Sequence, residues 1–261
     1  MKEGIIWDLR ADKIKQLAQE GKRQDGRKFG DYRAVSFETG ISDNANGSCK
    51  VTLGETVVLA GTKFGVAEPY PDSPAKGSIT VGVELMPMAS PTFEPGPPRA
   101  NAIELARVVD RGIRESKAID FDQLCIIEGE QVWFAFIDAY VANDMGNLFD
   151  ACSLAALGSL LEAKFPKLED GKIVKGEYAG KLKMNNKPIL CTMSKIGNNI
   201  FADATITEEK ARDTRLSIAT ISDTEMSAFQ KGEAGFFTRS EMEQCIDLAF
   251  ENGKKLRSKF K

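Results

Sequence analysis

The chain has 261 residues, 42% apolar and 28% charged, so it can bury a core in one or two domains of about 100 to 200 residues each and is not a disordered chain. Histidine is absent, which removes every Ser-His-Asp triad, Cys-His dyad, His-ligated zinc and imidazole acid or base. Lys and Arg total 35 against 38 Asp and Glu, a net charge of -3 that excludes a uniformly basic surface and makes any polyanion site local.

Leu9, Ile14, Leu17 and Ala18 recur at helical spacing between Asp8 and Glu20 and stop at Gly21, predicting an amphipathic N-terminal helix. A charged turn holding Lys22, Arg23, Asp25, Gly26 and Arg27 follows. Ala34 to Thr39, Ser48 to Leu53, Thr56 to Lys63 and Ile79 to Leu85 are rich in β-branched residues and bounded by turn residues, which predicts strands in antiparallel hairpins. Pro91, Pro95, Pro97 and Pro98 make Pro87 to Pro98 a loop. A helix is expected over Asn101 to Lys117, capped by Asn101, with Ala102, Leu105, Ala106, Val109 and Ile113 as its apolar stripe.

Leu124 to Ile127 and Gln131 to Val141 predict a hairpin turned at Glu128, Gly129 and Glu130. Phe149 to Lys164 is apolar nearly all round, the pattern of a buried helix against a sheet. Pro166 to Lys187 is charged and contains glycines, as expected of a junction between lobes. Ile189 to Lys195, Asn199 to Ala204, Arg215 to Ser222 and Met226 to Gln230 form a second strand group, and Ser240 to Lys259 a closing helix. Strands followed by helix in each lobe indicate an α+β fold rather than alternating βαβ. The boundaries expected are a helix and turn at 1–28, a first lobe at 29–165, a linker at 166–188 and a second lobe at 189–261.

Cys49, Cys125, Cys152, Cys191 and Cys245 stand singly, without metal-ligand or redox spacing, and predict buried thiols. With no apolar leader segment at Met1 to Arg10 and no apolar run near about 18 residues, they indicate a reducing, cytoplasmic setting without membrane contact.

Arg107, Arg111 and Arg114 fall within an arc of about 60° on their helix, opposite the apolar stripe. Three guanidiniums on one face suit the phosphates and bases of single-stranded RNA. A solvated face paired as Asp110 with Arg114, Arg111 with Glu115 and Glu104 with Arg107 explains the same spacing. Gly146, Asn147 and Leu148 before the buried helix lack the Ser, Thr or Arg expected of an anion site, which favours a plain turn, and the phosphate-binding P-loop string is missing. Asp203, Glu208 and Glu209 cluster after a strand, where paired acids could bind Mg²⁺ or act as general acid. An acidic turn solvated and neutralised by Lys210, Arg212 and Arg215 fits equally well.

Five strings are similar to the RNase-PH-like family: Asp25-Gly26-Arg27, MPMASPTFEPGPP over 86–98, IELARVVDRGIRES over 103–116, CIIEG over 125–129 and GNLFDA over 146–151. The likeness covers nearly the whole chain, and the FEPGPP loop followed by ELARVVDR resembles the non-catalytic ring subunits of the archaeal exosome. It implies a two-layer α+β fold of two sheet-and-helix lobes. It also implies three copies alternating with three catalytic RNase-PH-like subunits, RNA-binding cap subunits, and single-stranded RNA threaded through the ring for 3′-to-5′ phosphorolysis. No cofactor is implied.

Where catalytic members carry two adjacent arginines, this chain has Ala100 and Asn101; where they carry a Gly-Thr/Ser-Arg-type loop, it has Gly146, Asn147 and Leu148. Asp203 matches the catalytic aspartate and Glu209 a neighbouring acid, so an acidic half persists, with Asp203 expected to repel phosphate. Arg107 and Arg111 match positions that present arginines to RNA, and Arg114 lies beside them. The resemblance thus implies a non-catalytic, RNA-binding subunit. The rival readings are an active phosphorolytic exoribonuclease using Asp203 and Glu209, and a Mg²⁺-dependent hydrolase on Asp203, Glu208 and Glu209.

Overall fold

The computed structural model describes residues 2–169 and 171–260. The N-terminal helix α1 (Lys2–Gln19) ends at Gly21, whose φ of 73° places it in the left-handed region. Ile14 and Ala18 bury against Ile196, Phe201 and Ala211, whereas Leu9, assigned to the same stripe, is exposed.

The strands β1 (Val35–Thr39), β2 (Gly47–Leu53), β3 (Thr56–Ala67), β4 (Ser78–Leu85), β5 (Cys125–Ile127) and β6 (Gln131–Asn143) form one sheet in the order β1-β2-β3-β6-β4, with β5 also pairing β6. β1, β2 and β3 are antiparallel neighbours, as expected. β4 departs from the hairpin pattern and pairs β6 in parallel, Gly82 opposite Asp138. A parallel pair needs a crossover, and residues 86–130 supply one: the proline loop, the helix α2 (Ala100–Glu115), a 3₁₀ turn (Phe121–Leu124) and β5. Helix α2 begins one residue before the predicted start, at the first position the prolines leave free. Arg99, not Asn101, is its N-cap, without a side-chain cap bond.

Helix α3 (Leu148–Glu162) is buried along almost its whole length because it lies between two sheets. On one side it meets β2, β3 and β6; on the other it meets β9 (Ile189–Ile196) of a four-stranded sheet. That sheet runs β10-β9-β11-β12, with β10 (Asn199–Ala202), β11 (Thr214–Thr220) and β12 (Met226–Gly232). Helix α5 (Arg239–Arg257) covers its far face, so β9 and β11 are buried on both sides. A Thr238–Glu241 capping box starts α5. One apolar cluster runs from Cys49 and Val58 through Leu154 and Leu157 to Ile189 and Ile218.

Two segments differ from the sequence reading. The charged stretch expected as a junction carries a hairpin of β7 (Lys164–Glu169) and β8 (Lys172–Lys181), with Pro166 at a register shift, where a strand tolerates proline. The short helix α4 (Ile206–Ala211) was hidden by its length; a Thr205–Glu208 capping box builds it. Cys49, Cys152, Cys191 and Cys245 are buried thiols, as expected, while Cys125 on the short β5 is only half-buried.

Gly47 shows how closely α3 seats on the first sheet: a Cβ there would lie 2.2 Å from the Ser159 carbonyl oxygen and 2.6 Å from the Ala163 nitrogen. These are backbone atoms and cannot swing aside. Gly47→Ala should therefore destabilise the fold by about 1–3 kcal/mol, read as a lower urea midpoint at unchanged slope.

Candidate functional site

Two features stand out: a buried charged centre where α3, α4 and the segment after α1 meet, and the exposed face of α2. At the centre, the chain leaves β10 through Asp203, whose φ of 48° is a left-handed conformation that Asp tolerates better than most residues. The turn points its carboxylate inward, fully buried.

Five donors meet that carboxylate. The Arg33 backbone N–H donates at 2.8 Å, Arg33 Nε at 2.9 Å and Arg33 Nη2 at 2.7 Å; Arg27 Nη1 donates at 3.0 Å and Asn147 Nδ2 at 2.9 Å. Arg33 also donates to the Met145 and Gly146 carbonyl oxygens. Burial pushes the Asp203 carboxyl up, but the hydrogen bond and charge of Arg33 outweigh it and hold the group below the usual carboxylate range.

The other acids are engaged in the same way. Arg23 forks onto Glu208 at 2.9 and 2.6 Å. Glu209 accepts from the Asn147 backbone N–H at 3.1 Å and from Arg212 at 3.1 Å. The Asn147 N–H at the start of α3 is thus taken by a carboxylate of the chain itself. Gly146, at φ 95°, lies so close to residues 204–206 that a Cβ would sit 2.5 Å from the Ile206 nitrogen. Asn147, left-handed at φ 58° and 1% exposed, also donates to Asp150 at 2.8 Å, joining two buried carboxylates.

These contacts correct the solvated acidic turn and the expectation that Asp203 is a bare repelling charge. Arg27 and Arg33 neutralise it, and Arg23 serves Glu208. Of the three cations assigned to neutralise the cluster, only Arg212 does so. Arg215 pairs with Glu104, and Lys210 lies over the Trp7 ring. The three acids face different cations, and among the described residues no three acidic or thiol groups are arranged to hold a metal ion. Arg33 carried no signal in the sequence. Its only hint is the run of Arg23, Arg27 and Arg33 in a turn-rich segment, because pairings 170 to 185 positions apart leave no local pattern.

On α2 the structure separates the three predicted arginines. Arg114 is held by Asp110 through Nε at 3.0 Å and Nη2 at 2.9 Å, donates to the Ile79 carbonyl oxygen and lies over the Phe121 ring. Arg107 and Arg111 are exposed. Glu104 turns to Arg215 rather than to Arg107, and among the described residues Arg107 makes no side-chain hydrogen bond or ion pair. Arg111 donates to Gln230 Oε1 at 3.2 Å and makes no bond to Glu115. Arg107 also lines a groove of about 670 Å³ between the proline loop, β4, β6 and the start of α2. Arg99 pairs with Glu94 on its rim.

The profile of the 3′ exoribonuclease family, domain 1, matches residues 31–166, and that of domain 2 matches residues 186–252. The chain is 46% identical over 260 residues to exosome complex component Rrp42 of Thermococcus kodakarensis, covering 98% of this chain and 95% of that one. It is 44% identical over 259 residues to exosome complex component Rrp42 of Methanocella arvoryzae, covering 99% and 98%. Among solved structures, a chain of the Archaeoglobus fulgidus exosome with RNA bound to the active site superposes with a TM-score of 0.93 at 40% identity, covering 98% of this chain and 100% of that one.

Two outcomes follow from the centre. Asp203→Ala strands two guanidiniums against a buried wall and should cost about 3–5 kcal/mol in urea unfolding; a loss below about 1 kcal/mol would show that the pairing holds little together. Burial pushes Asp150 up to about 6 against the hydrogen bonds of Tyr32, Asn147 and Thr192. The folded state then keeps a proton the unfolded chain has released, so this group's contribution falls as pH rises from 3.8 to about 6. Asp150→Asn should remove that component, seen as a flatter stability profile than wild type over this interval.

Proposed function

The chain belongs to the RNase PH, or 3′ exoribonuclease, family, and on that premise we propose that it is a non-catalytic ring subunit of an exosome that binds RNA for a catalytic neighbour. The observation that carries this reading is the self-filled centre. Phosphorolysis requires orthophosphate held in line against an anionic phosphodiester, with positioning and charge neutralisation supplying most of the rate. Here Arg27 and Arg33 are spent on Asp203 and the Asn147 N–H on Glu209, so these donors already have internal partners.

The RNA contact rests on Arg107 and Arg111, the two exposed guanidiniums of α2. Each can present a fork of N–H donors to a phosphate. Arg114, the third residue expected to bind RNA, lies beside the same path with its fork and its charge taken up by Asp110.

Assembly is part of the reading. We assign the chain to a six-membered ring in which three copies alternate with three catalytic RNase-PH-like subunits, beneath RNA-binding cap subunits. Its lobes at 29–165 and 189–261, joined at 166–188, are the units that meet the neighbours. The exposed Ile103 and Tyr140 line the groove, and Met88, 74% exposed, follows its lining residue Pro87 in the chain; these apolar side chains favour burial against another chain. Five unpaired cysteines suit a cytoplasmic setting. Among the described residues no helix is long and apolar enough to cross a membrane.

The test is a product assay on RNA with phosphate. The chain alone should release nothing, and adding the catalytic subunit should yield nucleoside diphosphates. Diphosphates from the chain alone would instead establish an active enzyme using Asp203 and Glu209. In the assembled ring, Arg107→Ala with Arg111→Ala should weaken RNA binding and reduce its log–log salt slope by about 1.4 units, two contacts at about 0.7 each on a single strand. Unchanged binding would reject the RNA role.

A further inference from the structure

The arginines on the outer face of α2 differ in how they are held, and the difference lies in the chemistry of the acceptor. Asp110 grips Arg114 with a charged fork, which cancels its charge. Arg111 is held by a neutral amide: its Nη1 donates to Gln230 Oε1 at 3.2 Å. Gln230 belongs to β12, the edge strand of the second sheet, and two residues earlier on the same face Ala228 packs against Val108 of α2 with Leu190 and Ala219. That contact fixes the strand against the helix.

The amide orientation is also set. Gln230 Nε2 donates to the Lys231 carbonyl oxygen at 3.2 Å, which leaves Oε1 toward the guanidinium; the flipped amide would place two donors face to face. Arg111 is therefore orientated from one edge without being neutralised, and Nε and Nη2 have no partner among the described residues.

We infer that Gln230 is a positioning residue for RNA binding: it fixes the direction of Arg111 while leaving its full positive charge available to a phosphate. This rests on the reading of Arg111 as an RNA contact and extends the RNA-binding apparatus from α2 to the second sheet. A carboxylate at the same place would form an ion pair with Arg111 and take away the charge that the backbone of RNA meets.

The experiment is a salt titration of single-stranded oligoribonucleotide binding to the ring assembled with its catalytic partner, comparing wild type, Gln230→Glu, Gln230→Ala, Arg111→Ala and the double variant Gln230→Glu/Arg111→Ala. Gln230→Glu should reduce affinity as Arg111→Ala does, lower the salt slope by about 0.7 units and add nothing in the double variant. Gln230→Ala should weaken binding about threefold at unchanged slope, as loss of one exposed hydrogen bond predicts. Wild-type affinity and slope in Gln230→Glu, beside an impaired Arg111→Ala, would overturn the positioning role and leave the RNA reading standing. A further full loss in the double variant would overturn it as well, showing that Gln230 acts without Arg111. An unaffected Arg111→Ala would overturn the RNA reading itself and this inference with it.

Discussion

The grip of Arg33 on Asp203 is the interaction on which the rest of this structure depends. It joins the segment after α1 to the turn after β10, elements 170 positions apart in the chain. Asn147 ties the same carboxylate to α3 and, through Asp150, to Thr192 on β9. A buried charge is tolerated only when its partners are complete, and five donors on one carboxylate meet that requirement. The result is a charged hub between the two sheets. Completeness has a functional consequence: a carboxylate and guanidiniums that satisfy each other do not recruit an outside anion.

The chain thus divides its arginines by burial. Arg23, Arg27 and Arg33 hold acids in the interior and serve the fold. Arg107 and Arg111 stand on an exposed helix face where a net charge of -3 gives no general attraction for RNA. On the proposed reading, RNA binding rests on local geometry, on guanidiniums that keep both their charge and a free edge. By pairing with the buried Arg215, Glu104 leaves Arg107 uncancelled.

Much of the fold was legible because its signals are local. Burial between two layers makes α3 apolar all round, and the alternation of β1, β2 and β3 follows from one buried face. The parallel pairing of β4 with β6 was not legible, since strand direction depends on where a crossover returns rather than on the strand's own residues. The hairpin at β7 and β8 read as a junction because its outer face is charged and it lies on the surface. At the centre, Asp203, Glu208 and Glu209 were visible as an acidic cluster and Arg212 as a nearby cation, but Arg23, Arg27 and Arg33, which neutralise Asp203 and Glu208, were not. Salt bridges between distant segments have no period or spacing. The helical arc of Arg107, Arg111 and Arg114 was correct as geometry, and of the three ion pairs its spacing allowed only Asp110 with Arg114 forms, because Glu104 turns to Arg215 and Arg111 to Gln230, partners distant in the chain.

The central claim is that the charged centre has its ligands within the chain and does not capture orthophosphate. Calorimetric titration of inorganic phosphate into the purified protein tests it most directly. The account predicts no saturable heat across the millimolar range, in wild type and in Arg33→Gln alike. Saturable one-site binding that disappears in Arg33→Gln would contradict it.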